Sequence, residues 1–416
     1  MKQNIRNTMN SRSENYKSLW EFGRDVNVNH GSFGATPRVI LEKQAEISRE
    51  FNSCRERFIW HGGLDRVAAA KDRVADFIGA AHEDVVFVDN ATDGFNTVLK
   101  SVPLGTGDEL LVTSHTYSNF PPVMKEEAEK RGFKIVVVDI PYPPKDEQQI
   151  IDAILAKTSD RTKLAFIDHI SSPTALIFPI KDIVKALEQK GIDTFVDGAH
   201  APGQVPLDMK DIGAAYYTGN HHKWLCAPVA SAFLYVRSDK QDLIVPAVGS
   251  GAATRDHPFQ DRFGWVGTKD PSSRLCVPET IDYMASLHPQ GWAGIMKRNH
   301  DLAVRARDII CSRLNIEKPC DDRFFGSFFT VPVGKLTFDA ETEKKPALFR
   351  VFDLMEERYG FGAYTVEFEG QTLLRVSCQL YNEEQDYEIL ADKVMEVVKE
   401  FGIKEPTADL SRHNRL

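Results

Sequence analysis

Ile192-Asp193-Thr194-Phe195-Val196 runs into Asp197-Gly198-Ala199-His200, and Gly219-Asn220-His221-His222-Lys223-Trp224-Leu225 follows a short distance downstream. The first stretch reads as a buried strand, a short apolar run of β-branched and aromatic residues closed by Asp and Gly. Asp197 then stands at the strand's carboxyl end, where a carboxylate with no cationic or donor partner is costly. Its partner is either local, as a helix cap or a nearby arginine, or a bound group.

Outward from this strand the same texture repeats. Val85–Val88, Glu109–Thr113, Lys134–Val138, Leu164–Ile167, Thr194–Val196 and Ala232–Val236 read as strands, and amphipathic runs at 64–79, Ile150–Lys157 and Ile180–Lys190 read as helices. This alternation predicts an α/β fold whose large domain holds a mostly parallel sheet flanked by helices. After residue 260 the pattern changes to helices at 295–314, 346–358 and 384–401, with strand-like runs at Phe324–Pro332, Leu336–Asp339, Ala363–Phe368 and Thr372–Ser377. A smaller α+β C-terminal domain is expected there, as the 416 residues exceed what one core usually serves. The expected division is 1–39 as a segment packing with the small domain and the site's mouth, 40–265 as the large domain, and 266–416 as the small one.

Ligands of such sheets bind beyond the carboxyl ends of the strands. Asp89–Gly94, Ser114–Tyr117, His169–Pro173 and Asp197–His200 each follow a predicted strand, so four polar clusters should converge on one edge.

Composition removes several classes. Lys plus Arg number 51 against 60 Asp plus Glu, a net charge of −9 with no long basic run, which argues against nucleic acid or an anionic membrane as partner. The six cysteines are scattered without CxxC pairs or zinc-type spacing to His, so neither a disulfide framework nor a metal site is expected. No apolar leader or membrane-length apolar run occurs, and a cytoplasmic location is the expectation; Asn414-Arg415-Leu416 is a weak match to a peroxisomal signal. No GxGxxG opens a helix after an early strand, which disfavours a NAD enzyme.

Lys223 and Asp197 supply the two groups that pyridoxal 5′-phosphate requires: an amine to bond its aldehyde and a carboxylate to keep its pyridine nitrogen protonated. Trp224, Leu225, Ala227 and Pro228 make a dry surround that favours the neutral amine. Asn90-Ala91-Thr92 lies between a strand and the run Phe95–Val102, so N–H groups at a helix start and the Thr92 hydroxyl could hold a phosphate, or Asn90 or Thr92 simply caps the helix. Asp93 should face away from any anion there. His30 reads equally as a loop histidine or a substrate contact.

Taken in order, Asn29-His30-Gly31-Ser32-Phe33-Gly34, Asn90-Ala91-Thr92, His169-x-x-Ser172-Pro173-Thr174, Asp197-Gly198-Ala199-His200-Ala201-Pro202-Gly203, Gly219-Asn220-x-His222-Lys223-Trp224-Leu225, Gly267-Thr268-x-Asp270 and Arg375-x-Ser377 carry a resemblance. The chain resembles the class V aminotransferase family of fold-type I pyridoxal-phosphate enzymes, most closely its isopenicillin N epimerase-like branch, which includes C–S lyases such as hercynylcysteine sulfoxide lyase. The resemblance implies Lys223 as the cofactor-bonding lysine, Asp197 at the pyridine nitrogen, and His200 near the phenolic oxygen. It implies Thr92 with the Ala91 backbone, Asn220 and His222 on the phosphate, and Tyr117 stacked over the ring. Thr268 would reach the phosphate of a neighbouring subunit, which implies a homodimer with shared sites. Arg375 would grip the α-carboxylate of an amino-acid substrate, with Asn29 beside it at the site's mouth.

The chemistry expected is a carbanion at Cα, with Lys223 as base. Epimerisation needs a second acid, for which Tyr117 and His30 are candidates; loss of a Cβ substituent makes a C–S lyase of the desulfhydrase type; transamination is the alternative. Cysteine desulfurase chemistry is disfavoured because no cysteine, Cys320 included, lies in a Gly/Ser-rich loop, and a non-catalytic scaffold because lysine, aspartate and arginine are all present. The N-terminal segment with Phe58–His61 and Val248–Thr254 is the expected side-chain pocket.

Overall fold

The computed structural model describes residues 16–402 apart from 24–25, 337, 339–343 and 346. The strands are β1 (Val85–Val88), β2 (Glu109–Thr113), β3 (Lys134–Val138), β4 (Thr162–Asp168), β5 (Asp193–Asp197), β6 (Tyr216–Asn220), β7 (Ala232–Val236), β8 (Phe328–Pro332), β9 (Tyr364–Phe368) and β10 (Gln371–Ser377). Seven of them form one sheet in the order β1-β7-β6-β5-β4-β2-β3. β7 is antiparallel to both of its neighbours, and the remaining pairs are parallel.

Alternation along the strands divides the core into two layers. Leu111, Ala165, Ile167, Val196 and Tyr217 face helices Leu64–Phe77, Glu147–Ala156 and Ile180–Glu188. Leu110, Val112, Leu164, Phe166, Phe195 and Tyr216 face helices Ala91–Ser101 and Phe120–Arg131. Strands buried on both faces carry continuous apolar runs, which is why they are readable in the sequence. β6 is the exception: Tyr-Tyr-Thr-Gly-Asn is fully buried, yet its polar atoms and glycine conceal a strand. Helix Phe120–Arg131 is hidden too, by two prolines in its first turn, where the missing N–H groups cost nothing.

β8, β10 and β9 form a second, antiparallel sheet. Helices Gly291–Leu314 and Glu384–Phe401 pack on it through Leu302, Ala306, Ile310, Leu390 and Val394, together with Phe329, Val331 and Val376. β8 joins the two cores by its own alternation: Phe329 and Val331 enter the small core, whereas Phe328 packs into the large one. Val28 also belongs to the small core, and its carbonyl accepts from the Ser377 N–H at 2.7 Å. In contrast, Val277 and Ile281, expected in the small domain, lie in the large core because their helix Val277–Ser286 presents its apolar side to Leu64–Phe77. The strand expected over 336–339 is reduced to a bridge of Leu336 to Gly402, with 337 and 339 outside the described residues. The C-terminal signal-like residues also lie outside them. Among the described residues no helix is long and apolar enough to cross a membrane.

Phe166 joins Phe95, Phe120 and Phe195 with ring centroids 5.0 to 5.6 Å apart. Phe166→Ala should therefore cost about 3–5 kcal/mol by cavity formation, read as a lower urea midpoint at unchanged slope.

Candidate active site

The lysine lies on a turn beyond β6 that is clamped from three sides. Trp224 is fully buried behind it. Gly34, at φ +73°, presses against the His222 carbonyl so closely that a Cβ there would lie 1.7 Å from the oxygen. Gly203, at φ +85°, meets the Trp224 carbonyl, which a Cβ would approach to 2.4 Å. Only glycine allows both the positive φ and the contact. From the N-terminal segment, His30 bonds the Lys223 carbonyl through Nε2 at 2.9 Å and the Tyr381 hydroxyl through Nδ1 at 2.9 Å.

Lys223 opens into a cavity of about 220 Å³ lined also by Asn90, Ala91, Thr92, Tyr117, Asp168, Asp197, His200, Asn220 and His222. Three sequence-distant strand ends thus meet there, those of β4, β5 and β6, together with the helix that follows β1. Desolvation pulls the Lys223 amine down to about 7; Asp197 opposes this and Arg375 adds to it. His200 supports the neutral amine geometrically. Trp224 Nε1 donates to His200 Nδ1 at 3.4 Å, which leaves the imidazole proton on Nε2, and that nitrogen lies 3.1 Å from Lys223 Nζ. An N–H facing an amine needs the amine's lone pair. Phe328 stacks on the other side of His200, with centroids 5.0 Å apart at 19°.

Asp197 accepts from the Ala199 N–H at 2.9 Å, so a local turn satisfies part of it. Beside it, in register on the neighbouring strand, stands Asp168. Both project to the same face, and they are 5% and 2% exposed. Burial, then the charge of Asp197, holds the Asp168 carboxyl well above the usual range, and its Oδ2 has no partner among the described residues. Of the two carboxyls, Asp168 is the one that keeps its proton, since Asp197 has an N–H donor and the lysine.

The opposite end of the cavity suits an anion. Asn90 caps helix Ala91–Ser101 by accepting from the Asp93 N–H, and the Asp93 carboxylate turns back to accept from the Asp89 N–H at 3.1 Å. Thr92 of the first turn lines the cavity, and His222 contributes a buried Nδ1 with no partner among the described residues. Burial lowers His222 to about 4, a value a bound anion would raise. An orphan ring nitrogen, a helix start, a neutral-prone amine and a buried carboxylate fit phosphate, aldehyde and pyridine nitrogen of one cofactor.

The sequence model described as aminotransferase class-V matches residues 34–321. The chain belongs to the class V aminotransferase family. Its cofactor is pyridoxal 5′-phosphate, and it is an enzyme. The family members it is similar to include L-cysteine desulfhydrase of Arabidopsis thaliana, 30% identical over 90% of this chain and 88% of that protein. Isopenicillin N epimerase of Streptomyces clavuligerus is 28% identical over 88% of this chain and 93% of the epimerase. In fold the chain is similar to C-DES, solved with glycine covalently linked to its PLP cofactor, at a TM-score of 0.73 and 17% identity over 90% of this chain and 97% of that one.

For this class V chain the structure alters several expectations. His30 is not in the cavity: both ring nitrogens are engaged and burial lowers it to about 4, so it anchors the lysine turn from behind. The Ala91 N–H is not free for a phosphate, because it donates to Asn220 Oδ1 at 2.9 Å. Thr268 is exposed and stands outside the lining of this chain's cavity, as do Phe58–His61 and Val248–Thr254. Asn29 and Arg375 do meet: Arg375 donates to Asn29 Oδ1 at 3.2 Å, Ser32 Oγ at 2.6 Å, and Ser172 O and Oγ at 2.8 and 3.1 Å. No carboxylate among the described residues pairs with this buried cation, and its Nε has no partner among them. Asp168 was not singled out from sequence; its place in register with Asp197 at the end of the preceding strand is the signal that finds it.

Lys223→Ala should remove the long-wave absorbance of the holoenzyme with circular dichroism unchanged, whereas Gly34→Ala should lose both the absorbance and thermal stability. Asp168→Asn tests the proton assignment in the apoprotein. A carboxyl with a raised folded pKa gives stability that is full below the unfolded value of about 3.9 and lost as pH rises toward the folded one. The melting temperature of Asp168→Asn relative to wild type should therefore climb as pH increases above about 4.

Proposed function

We propose that this enzyme is a C–S lyase that eliminates a sulfur leaving group from an L-cysteine-derived amino acid. The observation that carries the reading is the placement of His30. Elimination needs one base at Cα; epimerisation needs a second acid on the opposite face, and His30 is withdrawn behind the Lys223 backbone with both nitrogens engaged. The similarity to L-cysteine desulfhydrase supports the same choice.

Pyridoxal 5′-phosphate, when bound, stores the electron pair left on Cα in its conjugated ring. Asp197 holds the pyridine nitrogen, with neutral Asp168 beside it donating rather than adding a second charge. Thr92, Asn220 and His222 hold the phosphate, and His200 the phenolic side. Arg375, held by Asn29, Ser32 and Ser172, takes the α-carboxylate by exchanging neutral acceptors for it. Lys223, whose burial lowers its amine to about 7, accepts the Cα proton in its neutral form. Tyr117, which lines both the cavity and its annex, would pack over the ring. The cysteines take no part: none lines the cavity, and burial pushes Cys320 up to about 12. Thr268 completes the phosphate site of a neighbouring chain in a homodimer, and the enzyme works in the cytoplasm.

One observation favours the second reading. Tyr117 lines both the cavity and its annex, with its hydroxyl accepting from Asn119 at 2.8 Å, so it is the acid that an epimerase would use. Turnover in deuterated buffer separates the two. Pyruvate with ammonia and a released thiol is the expected result; recovered, racemised amino acid deuterated at Cα gives the epimerase instead. Under the lyase reading Arg375→Gln should raise KM by on the order of 100-fold, because a buried charge pair loses one partner.

A further inference from the structure

A second cavity, of about 310 Å³, opens off the first and shares Ser32, Phe33, Tyr117, Ser172 and Lys223 with it. Its own walls are Phe349, Phe352 and Tyr364, with Arg375 and Asn29 at the inner end. The Arg375 guanidinium lies 4.3 Å from the centre of the Tyr364 ring. A substrate whose α-carboxylate meets Arg375 and whose Cα faces Lys223 therefore sends its side chain out between aromatic rings.

The chemistry of those walls restricts the group a substrate can carry beyond Cβ. The basic residues of the lining are Lys223 and Arg375, both already assigned, and no carboxylate among the described residues stands there to receive a cationic side chain. An anionic group would be drawn to the same arginine and compete with the α-carboxylate. Two of the rings are open to solvent, Phe33 at 79% and Phe349 at 47%, although they border a concave site. Exposed aromatic surface beside a reactive amine is surface that a ligand can cover. The thiol of cysteine itself is too small to reach Phe349 or Phe352 across a cavity of about 310 Å³.

We infer that the substrate class is an S-substituted L-cysteine whose sulfur carries an uncharged apolar group of aryl or aralkyl size, seated between Phe33, Phe349, Phe352 and Tyr364. This rests on the lyase reading above. In the step, Lys223 takes the Cα proton, the released pair forms the Cα–Cβ double bond, and the Cβ–S bond breaks with its electrons on sulfur. The thiolate leaves and is protonated by solvent. The enamine product is hydrolysed by water to pyruvate and ammonia, so no oxidant or reductant is needed.

The test compares S-benzyl-L-cysteine with S-methyl-L-cysteine on the holoenzyme by pyruvate formation, and uses β-chloro-L-alanine as a substrate with no sulfur substituent. Burying one phenyl ring should raise kcat/KM for the benzyl compound about tenfold or more over the methyl one, and Phe352→Ala should collapse that ratio toward one. A wild-type ratio at or below one, or a ratio that Phe352→Ala leaves intact, overturns the inference. If β-chloro-L-alanine also gives no pyruvate, the lyase reading itself falls. The cavity is then judged by calorimetry alone: the isostere of S-benzyl-L-cysteine with CH₂ for sulfur should bind about tenfold tighter than L-alanine, and equal affinity overturns the assignment.

Discussion

The desolvation of one ammonium group governs the rest of this structure. Holding Lys223 where its charged form is disfavoured enough to titrate near 7 instead of 10.5 costs on the order of 5 kcal/mol in the folded state. The chain meets that cost with packing that would otherwise be excessive for a short turn: a buried tryptophan, two glycines pressed against its carbonyls, and a histidine brought across from the N-terminal segment. Every one of these contacts fixes backbone rather than the amine. The amine itself is met by His200 Nε2 at 3.1 Å.

Around that amine the charges are sorted by position. Carboxyls stand at the ends of β4 and β5, a helix start and the His222 ring at the far end, and the Arg375 guanidinium on the side of the small sheet. Two buried carboxyls in register cannot both ionise without a cation, so the pair shares its protons unequally. Arg375 has four neutral acceptors and, among the described residues, no carboxylate. The small sheet carries this arginine on β10, and β8 ties it to the large core by alternating its side chains between the two.

The sequence was readable wherever local chemistry and tertiary role agree. Strands β1, β2, β4, β5 and β7 show as apolar runs because they are buried on both faces, whereas the half-buried edge strand β3 shows by its run of valines; Lys223, Asp197, Thr92, His200, Asn220, His222, Tyr117 and Arg375 line one cavity and its annex. β6 was hidden because its Gly219-Asn220 end reads as a turn and leaves too short a run before it, although burial and pairing make it a central strand. His30 and the Ala91 N–H were misplaced for a related reason. A motif shows that a residue is near a site, whereas the atoms its polar groups bond are decided by distant segments, here Tyr381 and Asn220. Asp168 and the Phe349, Phe352 and Tyr364 wall depend on register and on helix placement, which no local pattern encodes.

The Lys223 amine titrates near 7 before any ligand arrives, a property on which its role as a base depends. It is tested most directly by following the side-chain resonances of lysine labelled with ¹³C at Cε in the apoprotein as pH is raised, with Lys223→Ala to assign the signal. One resonance with a midpoint near 7, absent from the variant, is the predicted result. A Lys223 resonance that titrates with the other lysines near 10.5 would contradict the account.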